Sequence, residues 1–354
     1  AYSTVHTHRT APTMAMASSS GGAGALVLAF LTVAVLLSPA LSAPLDSAGF
    51  HSATCPQLES IVLSSVQAAL QREVALAAGL LRIFFHDCFP QGCDASVYLK
   101  GSGTEQAMGP NTTLQPRALQ LVEDIRAKVH AACGATVSCA DISALATRDA
   151  VVLSGGPNYT VPQGQFDSLA PASQNAVNAL PSPATASVSA LARAFSAKGL
   201  RDLADLVALS GAHTVGRTGC PFFRDRAQRM DDTFSRRLAA NCSAAPTRLQ
   251  NLDVVTPDLF DNGYYRALVN SQGVFTSDMA LIKDRTTAPI VRQFAQSKDA
   301  FFAQFAKSMA KLATAPRPGG NVGEIRRSCF SPNARRAIDT VVDAGEEEGF
   351  AASA

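Results

Sequence analysis

Apolar residues recur every three or four positions through most of the chain after position 56, with polar residues between them. This spacing gathers the apolar side chains on one face of an α-helix. The pattern predicts helices at Gln57–Arg72, Glu73–Cys88, Leu119–Cys133, Cys139–Leu153, Val188–Lys198, Asp202–Ser210, Tyr264–Val269 and Phe301–Leu312. Strand signals are few, and Val274-Phe275 is the best candidate. The sequence therefore predicts a mainly α fold with minimal β structure.

An almost unbroken apolar run, Ala25–Leu37, stands near the start of the sequence, and small residues follow it. Such a run is typical of a secretory signal peptide, and it is too short for a comfortable transmembrane helix. We expect residues 1–13 to be leader, residues 14–43 to be a signal peptide cleaved near Ser42–Ala43, and residues 331–354 to be a loose tail or propeptide. A signal anchor is the alternative interpretation of the apolar run.

The sequence contains eight cysteines, and all of them follow the apolar run. An even number in a secreted chain favours four disulfides, although eight cysteines allow many pairings. Free thiols or a zinc site are the alternatives, but no Cys-x-x-Cys pair has partners at zinc spacing. Three Asn-x-Ser/Thr triplets, at Asn111, Asn158 and Asn241, also fit a secreted glycoprotein.

The formal net charge is +2 at pH 7. This excess of positive charge is too small to favour nucleic-acid binding, although it permits weak contact with acidic polysaccharide. After removal of the signal peptide the chain offers no further candidate for a membrane segment. We therefore expect a protein without nucleic-acid or membrane partners.

Two residues of one apolar stretch, Arg82 and His86, are four positions apart on a predicted helix and project from one face. Arginine stays charged and histidine titrates near neutral pH, so the pair can move a proton and stabilise a developing negative charge. A surface pair on an amphipathic helix is the alternative. His213 stands between small residues, which let a large flat group approach the backbone; a buried core histidine is the alternative.

Two sets of oxygen-bearing side chains stand close together in the sequence: Asp87, Asp94 and Ser96, and Asp253, Thr256 and Asp261. Calcium takes about six to eight oxygen ligands, which backbone carbonyls can complete. The spacing is not that of an EF-hand loop. Turn and N-cap chemistry is the alternative for each set.

The chain resembles the secretory plant haem peroxidases (class III) in five stretches, in chain order RIFFHDCFPQGCDAS, TEQAMGPN, SCADI, DLVALSGAHTVG and LFDNGYY. The resemblance runs from about Phe50 to Phe330. It implies a two-lobed haem peroxidase fold over residues 44–330, with haem between distal and proximal helices. The implied distal lobe covers residues 44–160, and the implied proximal lobe covers residues 161–330.

The resemblance also implies a reaction and the residues that perform it. A haem peroxidase reduces hydrogen peroxide to water and oxidises phenolic donors in two one-electron steps. His213 is the implied ligand of the iron in one haem b, and Asp278 is its carboxylate partner. His86 is the implied acid–base group for cleavage of the O–O bond, and Arg82 is its charged partner.

Further residues resemble positions around the haem of that family. Asn111 is the implied residue that orients His86 through a hydrogen-bond chain, with Glu105 nearby. Phe85 is expected to lie against the haem. Pro162 is expected to line the edge where aromatic substrates bind, with Phe222 near that edge.

Two calcium ions and four disulfides are implied as well. The distal calcium ligands are Asp87, Asp94, Ser96 and the carbonyls of Pro90 and Gly92. The proximal calcium ligands are Thr214, Asp253, Thr256, Asp261 and the carbonyl of Leu259. The implied disulfides are Cys55–Cys133, Cys88–Cys93, Cys139–Cys329 and Cys220–Cys242.

Three segments depart from the usual family pattern: VPQGQFDS replaces VPLGRRDS, TLQPRALQ replaces a stretch with SLRGF, and Tyr159 stands where many members have Trp. None of these changes removes a catalytic group; they bear on the substrate edge and the haem-propionate contacts. We expect a secreted monomer with roles in lignin or cell-wall phenol oxidation and in oxidative stress, in the apoplast or, with a propeptide, the vacuole. The alternatives are peroxide generation on reduced donors, and a calcium-binding, disulfide-bonded wall protein without turnover.

Overall fold

The computed structural model describes residues 49–334, which form a mainly α fold, as the sequence predicts. The helices are α1 (Leu58–Arg72), α2 (Leu76–Gln91), α3 (Pro116–Cys133), α4 (Cys139–Leu153), α5 (Gln174–Val177), α6 (Val188–Ser196), α7 (Leu203–Ser210), α8 (Arg224–Arg229), α9 (Thr233–Ala244), α10 (Gly263–Val269), α11 (Thr276–Lys283), α12 (Ala288–Gln296) and α13 (Lys298–Ala313). The strands are β1 (Arg217–Thr218) and β2 (Gln250–Asn251).

Several helices begin where the sequence supplies a capping side chain. Ser138, Asp202 and Ser297 each accept a hydrogen bond from a backbone amide in the first turns of α4, α7 and α13. Asp232 and Ser235 form a reciprocal capping box at the start of α9. These caps satisfy amides that have no partner within the helix, so they fix the residue at which each helix begins.

Helix α2 lies among α1, α3 and α4 and also contacts α13. Most of its side chains are buried, but Arg82, Phe85 and His86 are only partly buried. Pro90 stands in its last turn, where it removes one helical hydrogen bond. Gly92 then ends the helix with a φ of 91°, a conformation that favours glycine. The helix therefore turns into a short loop after Gln91, five residues past His86.

The strand prediction for Val274-Phe275 is wrong. Both residues lie in the connection before α11, and the Phe275 amide donates a hydrogen bond to Asp278 Oδ2 at 2.9 Å. Their side chains are buried in a small second core beside α8 and α9. The apolar pair therefore packs in this second core and lies at the start of α11. In residues 49–334 the only ladder joins β1 and β2 in antiparallel register.

The four disulfides join the same cysteine pairs that the family resemblance implies. One of them, Cys139–Cys329, connects positions 190 residues apart and ties the start of α4 to the last part of the described chain. A continuous main core includes residues of α1 to α4 and of α7, α10, α12 and α13. The boundary between two lobes at about residue 160 stays a prediction.

No helix within residues 49–334 combines the length and the apolar character that crossing a membrane requires. The predicted leader and signal peptide lie outside the described residues, as does most of the predicted tail.

Candidate active site

His86 is held by an amide from a neighbouring turn. Its Nδ1 lies 2.6 Å from Oδ1 of Asn111, which is buried in the 3₁₀ turn Gly109–Asn111. Because Oδ1 can only accept, the histidine Nδ1 carries the proton and Nε2 keeps its lone pair. Burial, together with the nearby positive charge of Arg82, lowers the pKa of His86 to about 4, against a smaller opposing effect of the Asn111 bond. His86 is therefore a neutral base near neutral pH.

Arg82 is fixed by the segment that also carries Asn111. Its guanidinium donates to the carbonyls of Thr113 and Pro110, at 2.8 and 3.1 Å, and to the Thr113 hydroxyl at 2.9 Å. Burial lowers the pKa of Arg82, but an arginine stays charged at ordinary pH. One short segment, residues 110–113, therefore orients both groups of the predicted acid–base pair.

Glu105 is buried, and burial raises the pKa of its carboxyl group. Its Oε1 accepts a hydrogen bond from the Ala172 amide at 2.7 Å. Neither Glu105 Oε2 nor Asn111 Nδ2 has a hydrogen-bond partner within the described residues. The predicted hydrogen-bond chain from Glu105 through Asn111 is therefore not made as a direct bond in this structure.

Phe85 continues the same face of α2 as an aromatic wall. Its ring centroid lies 4.8 Å from that of Phe89 and 6.3 Å from that of Phe195 on α6. Aromatic pairs at these separations pack favourably and hold their ring planes. The partly buried ring of Phe85 therefore has a fixed orientation, which suits a residue expected to lie against a flat cofactor.

His213 lies in the 3₁₀ turn Gly211–Thr214 that follows α7. Its Nδ1 lies 2.9 Å from Asp278 Oδ1, and its side chain is 35% exposed although Asp278 is 2% exposed. Asp278 also accepts hydrogen bonds from the Tyr264 hydroxyl and the Phe275 amide, each at 2.9 Å. Three donors thus fix this carboxylate, and the Nε2 of His213 points away from it with a free lone pair.

Close packing sets where this turn lies. A Cβ atom at Gly211 would stand 2.2 Å from the Tyr265 hydroxyl and 2.6 Å from the Phe301 ring. Only glycine can occupy that position without moving a buried aromatic side chain. The small residues around His213 therefore serve close approach of the turn to α10 and α13.

This donor set fits a haem iron. His213 offers one imidazole nitrogen outward and gives the other to a carboxylate, an arrangement that typifies metal-bound histidine because it fixes the tautomer and makes the ligand more basic. Its considerable exposure, beside partners that are almost fully buried, is the feature of this structure that allows an outside group to reach it.

The predicted distal calcium ligands lie around the Cys88–Cys93 loop. Asp87 Oδ2 accepts from the amides of Asp94 and Ala95 at 3.1 and 2.9 Å, and Asp94 Oδ1 accepts from the Ser96 amide at 3.0 Å. The Ser96 hydroxyl is buried and has no hydrogen-bond partner in the described residues. Burial, and then the charge of Asp94, raise the pKa of Asp87 well above its usual value. A bound cation would relieve both conditions.

Two positive side chains also reach this loop. Lys198 Nζ donates to the Pro90 carbonyl at 2.6 Å, and Arg317 lies 4.0 Å from Asp94 Oδ2. The carbonyl of Pro90 was predicted as a calcium ligand, so the lysine and an ion would share it. The structure describes no hydrogen bond at the carbonyl of Gly92, the other predicted backbone ligand.

The predicted proximal calcium ligands converge on one point. Thr214 Oγ1 donates to Asp253 Oδ2 at 3.0 Å and to the Leu259 carbonyl at 3.5 Å, and Thr256 Oγ1 donates to Asp261 Oδ1 at 2.9 Å. The carboxyl oxygens of Asp253 and Asp261 and the hydroxyl of Thr256 all approach the start of α10. Burial raises the pKa of Asp253. All five predicted residues are therefore neighbours.

Each calcium set depends on hydroxyl and carbonyl oxygens as well as carboxylates. In residues 49–334 no group of three or more His, Cys, Asp or Glu side chains is arranged to hold a metal ion. Each set contains only two carboxylates, so hydroxyls and carbonyls have to supply the other ligands. This donor chemistry fits calcium better than a transition metal.

The substrate-edge residues are less well defined by contacts. Pro162 is partly buried, and Phe222 is 38% exposed in the 3₁₀ turn Cys220–Phe223. No described contact joins the two, so their common role stays a prediction. Sequence reasoning missed the roles of Thr113, Tyr264 and Lys198. Of these, only Tyr264 lay in a stretch that carried the resemblance, LFDNGYY.

Known proteins are similar to this chain over most of its length. Residues 62–297 match a protein-family model described as Peroxidase. The chain is 48% identical over 302 residues to Cationic peroxidase SPC4 of Sorghum bicolor, covering 82% of this chain and 83% of that protein. It is 43% identical over 311 residues to Peroxidase 12 of Arabidopsis thaliana, covering 85% and 86%. It is also 43% identical over 305 residues to Peroxidase 66 of Zea mays, covering 85% and 94%.

Proposed function

We propose that this chain, which belongs to the peroxidase family and is a peroxidase enzyme, reduces hydrogen peroxide with His86 as the acid–base group. We also propose that its electrons come from small phenolic donors. The observation that carries the proposal is the pair of oriented histidines. His86 gives Nδ1 to the neutral amide of Asn111, and His213 gives Nδ1 to the carboxylate of Asp278. These two environments suit a base and a metal ligand respectively.

The proximal residues would hold the cofactor, which we propose is one haem b. His213 would bind its iron through Nε2, and Asp278 would keep the imidazole electron-rich by accepting a hydrogen bond from Nδ1. Haem, when bound, supplies the redox chemistry that stores two oxidising equivalents from peroxide. Phe85 on α2 would lie against its plane.

The distal residues move the proton. Neutral His86 accepts a proton at Nε2 from one oxygen of hydrogen peroxide. It returns this proton to the other oxygen, which leaves as water. Asn111 keeps the lone pair of His86 at Nε2 during this transfer. The fixed positive charge of Arg82 stabilises the negative charge that develops as the O–O bond breaks.

The donors complete the cycle in two equal steps. Each phenol loses one electron and one proton, so two phenols and one peroxide molecule give two phenoxyl radicals and two water molecules. We propose that Pro162 and Phe222 border the edge where these donors bind. Monolignols and other phenols of the cell wall are the donor class that we propose for a secreted enzyme of this kind.

We further propose two calcium ions, secretion and a monomeric state. The unpaired Ser96 hydroxyl and the crowded carboxylates of Asp87 and Asp94 support the distal ion, and the convergence of Asp253, Thr256 and Asp261 supports the proximal one. Each ion would stiffen a segment next to a haem-site histidine. Four disulfides support an oxidising compartment. The wall protein without turnover is disfavoured, because the groups that turnover needs are present and oriented.

The test begins with the purified protein. It is expected to show a Soret band and to oxidise guaiacol with peroxide. His86→Leu is expected to slow the reaction with peroxide by about 10²- to 10⁴-fold, the usual contribution of a positioned acid–base group, while the Soret band persists. An unchanged rate in a variant that keeps its haem would exclude His86 from this role.

A further inference from the structure

Most of the net positive charge of the described chain lies in one short stretch. Residues 49–334 contain 27 Arg and Lys side chains and 22 Asp and Glu side chains, a net charge of +5 with neutral histidines. Residues 217–251 contain seven arginines, three aspartates and no lysine, glutamate or histidine, a net charge of +4. The other described residues together are therefore almost neutral.

Residues 217–251 form a compact structure, which we call the arginine-rich unit. The antiparallel pairing of Arg217 with Asn251 closes its two ends, and the disulfide Cys220–Cys242 links its two halves. Helices α8 and α9 pack against each other over the second core. The longer of them, α9, has 12 residues and spans about 18 Å. The arginines are therefore gathered in a small region of the protein.

The aspartates of this unit already have partners within the structure. Arg226 is fully buried, and its guanidinium donates to Asp231 Oδ1 at 3.0 Å and to Asp232 Oδ2 at 2.6 Å. Asp225 accepts a hydrogen bond from the Thr276 hydroxyl. One interior arginine therefore uses two of the three negative charges that could have neutralised the surface.

The arginines at the surface of the unit are left with little negative charge around them. Arg217 pairs with Asp258 at 3.0 Å. The other exposed arginines form no ion pair with any described residue, and they are Arg224, Arg229, Arg236, Arg237 and Arg248. Because a guanidinium stays charged at ordinary pH, these side chains create a permanent positive potential that attracts an anionic partner.

We propose that the arginine-rich unit binds an acidic polysaccharide whose sugars carry carboxylates. The planar guanidinium matches a carboxylate with two parallel hydrogen bonds. A polyuronide presents a carboxylate on each of its successive sugars, so one chain can engage several arginines and add up contacts that are weak singly. The proposal rests on the proposed secretion and is independent of the peroxidase mechanism.

The surface of the unit favours this partner over other polyanions. Phe222 is the one exposed aromatic side chain in residues 217–251, so these residues offer no series of rings on which nucleic-acid bases could stack. The large apolar side chains of α9, Phe234 and Leu238, are buried. A helix that lies in a membrane interface needs such side chains on its exposed face.

Binding is tested with short-chain polygalacturonate and the secreted full chain at a fixed free calcium concentration. We expect binding at low ionic strength that weakens as salt is added, because salt screens exposed charges. Fully methyl-esterified polygalacturonate is the matched control, since it keeps the sugars and removes their charge, and we expect no binding to it. Equal binding to the two polymers, or binding to neither, would overturn the proposal.

The site is tested with the triple variant Arg224→Gln/Arg229→Gln/Arg248→Gln. None of these three side chains makes a hydrogen bond to a described residue, so the fold is expected to tolerate their loss. Exposed charge pairs are weak singly, so we expect the three losses together to weaken polygalacturonate binding about tenfold.

The control variant removes the same charge from exposed arginines outside the unit, on α1, α6 and α12: Arg72→Gln/Arg193→Gln/Arg292→Gln. We expect it to change the affinity less than about twofold, because its charges lie away from the site. An equal loss in both variants would show that binding follows total charge, which contradicts a site in residues 217–251.

Duplex DNA and phosphatidylglycerol vesicles test the other partners. If Arg224→Gln/Arg229→Gln/Arg248→Gln loses affinity for either of them and keeps full affinity for polygalacturonate, the unit serves that other polyanion and the proposal is wrong. Guaiacol turnover of each sample reports separately on the peroxidase function. A failure of the binding prediction is therefore distinguishable from a failure of the proposed reaction.

Discussion

At the scale of residues, two histidines share one arrangement and differ in a single partner. Each gives Nδ1 to a side-chain oxygen, which leaves Nε2 available. The partner of His86 is the neutral Asn111, so burial and Arg82 keep the imidazole uncharged and able to accept a proton. The partner of His213 is the charged Asp278, which makes that imidazole a stronger donor to a metal.

The Asn111→Asp substitution tests this difference at His86. A carboxylate beside Nδ1 favours the imidazolium form and raises the pKa of His86 above its value of about 4. Only the neutral form accepts the proton, so the variant is expected to lose its rate with peroxide at a higher pH than the wild type. Stopped-flow rates between pH 3 and pH 8 measure the shift. The exposed Asn175→Asp variant is the matched control. If Asn111→Asp does not change the pH below which the rate falls, His86 is not the group whose protonation limits the reaction.

The Asp278→Asn substitution tests the other histidine. The uncharged amide of asparagine accepts the hydrogen bond from Nδ1 more weakly than a carboxylate does. The imidazole then gives the iron less electron density, so the reduction potential of the iron is expected to rise. Spectroelectrochemistry of the haem-loaded protein measures this change. Tyr264→Phe is the matched control, because it removes a different hydrogen bond to the same carboxylate and keeps the charge. A potential that rises equally in both variants would point to general disruption.

At the scale of elements, short connections beside helix ends bring the proposed oxygen ligands together. The turn Gly211–Thr214 after α7 supplies both His213 and Thr214, so one local structure would serve the proposed iron site and the proposed proximal calcium site. The loop before α10 supplies the remaining proposed ligands. We therefore expect the position of His213 to depend on calcium binding.

The Gly263→Ala substitution tests this coupling at the first residue of α10. An added Cβ would stand 2.4 Å from Thr256 Oγ1, 2.5 Å from Asp253 Oδ2 and 2.9 Å from Asp261 Oδ1. We expect the variant to lose about 1–3 kcal/mol of stability through overpacking and to lose the stabilisation that added calcium gives the wild type. Unfolding midpoints with calcium and with chelator measure both effects.

Gly219→Ala is the control for this prediction. Its nearest neighbour would be a Pro221 carbon at 3.6 Å, which is an ordinary contact. It should keep the calcium response of the wild type. A Gly263→Ala protein that calcium still stabilises fully would place the ion elsewhere.

At the scale of the whole molecule, disulfides connect parts that are far apart in sequence. Cys139–Cys329 spans 190 positions, whereas Cys220–Cys242 spans 22. The entropy of the unfolded chain that a cross-link removes grows with the length of the closed loop. The longer link is therefore expected to contribute more to the stability of the complete fold.

Replacing both cysteines of each pair by alanine tests this expectation. Loop-closure entropy predicts a loss of about 5 kcal/mol for Cys139→Ala/Cys329→Ala and about 3 kcal/mol for Cys220→Ala/Cys242→Ala. Denaturant unfolding of the two double variants measures the difference. A larger loss for the shorter loop would show that local packing, rather than chain entropy, decides the contribution of these bonds.

Much of this organisation follows from local sequence. Apolar periodicity predicts α1, α4 and α7 to within a residue, because helical spacing is a property of neighbouring positions. The wrong prediction at Val274-Phe275 has a tertiary cause. By sequence alone an apolar pair resembles a short buried strand, but here both residues pack in the second core and the Phe275 amide bonds Asp278 at the start of α11. Helices α5, α8, α9, α11 and α12 were also missed.

The sequence by itself determined the helical class, the even set of cysteines and the family resemblance that pointed to Arg82, His86 and His213. Only the tertiary structure decided which groups they bond. Thr113 is 31 positions from Arg82, and Lys198 is 108 positions from the Pro90 carbonyl. Periodicity records the geometry of nearby residues, whereas such hydrogen bonds exist only where packing brings distant segments within about 3 Å of each other.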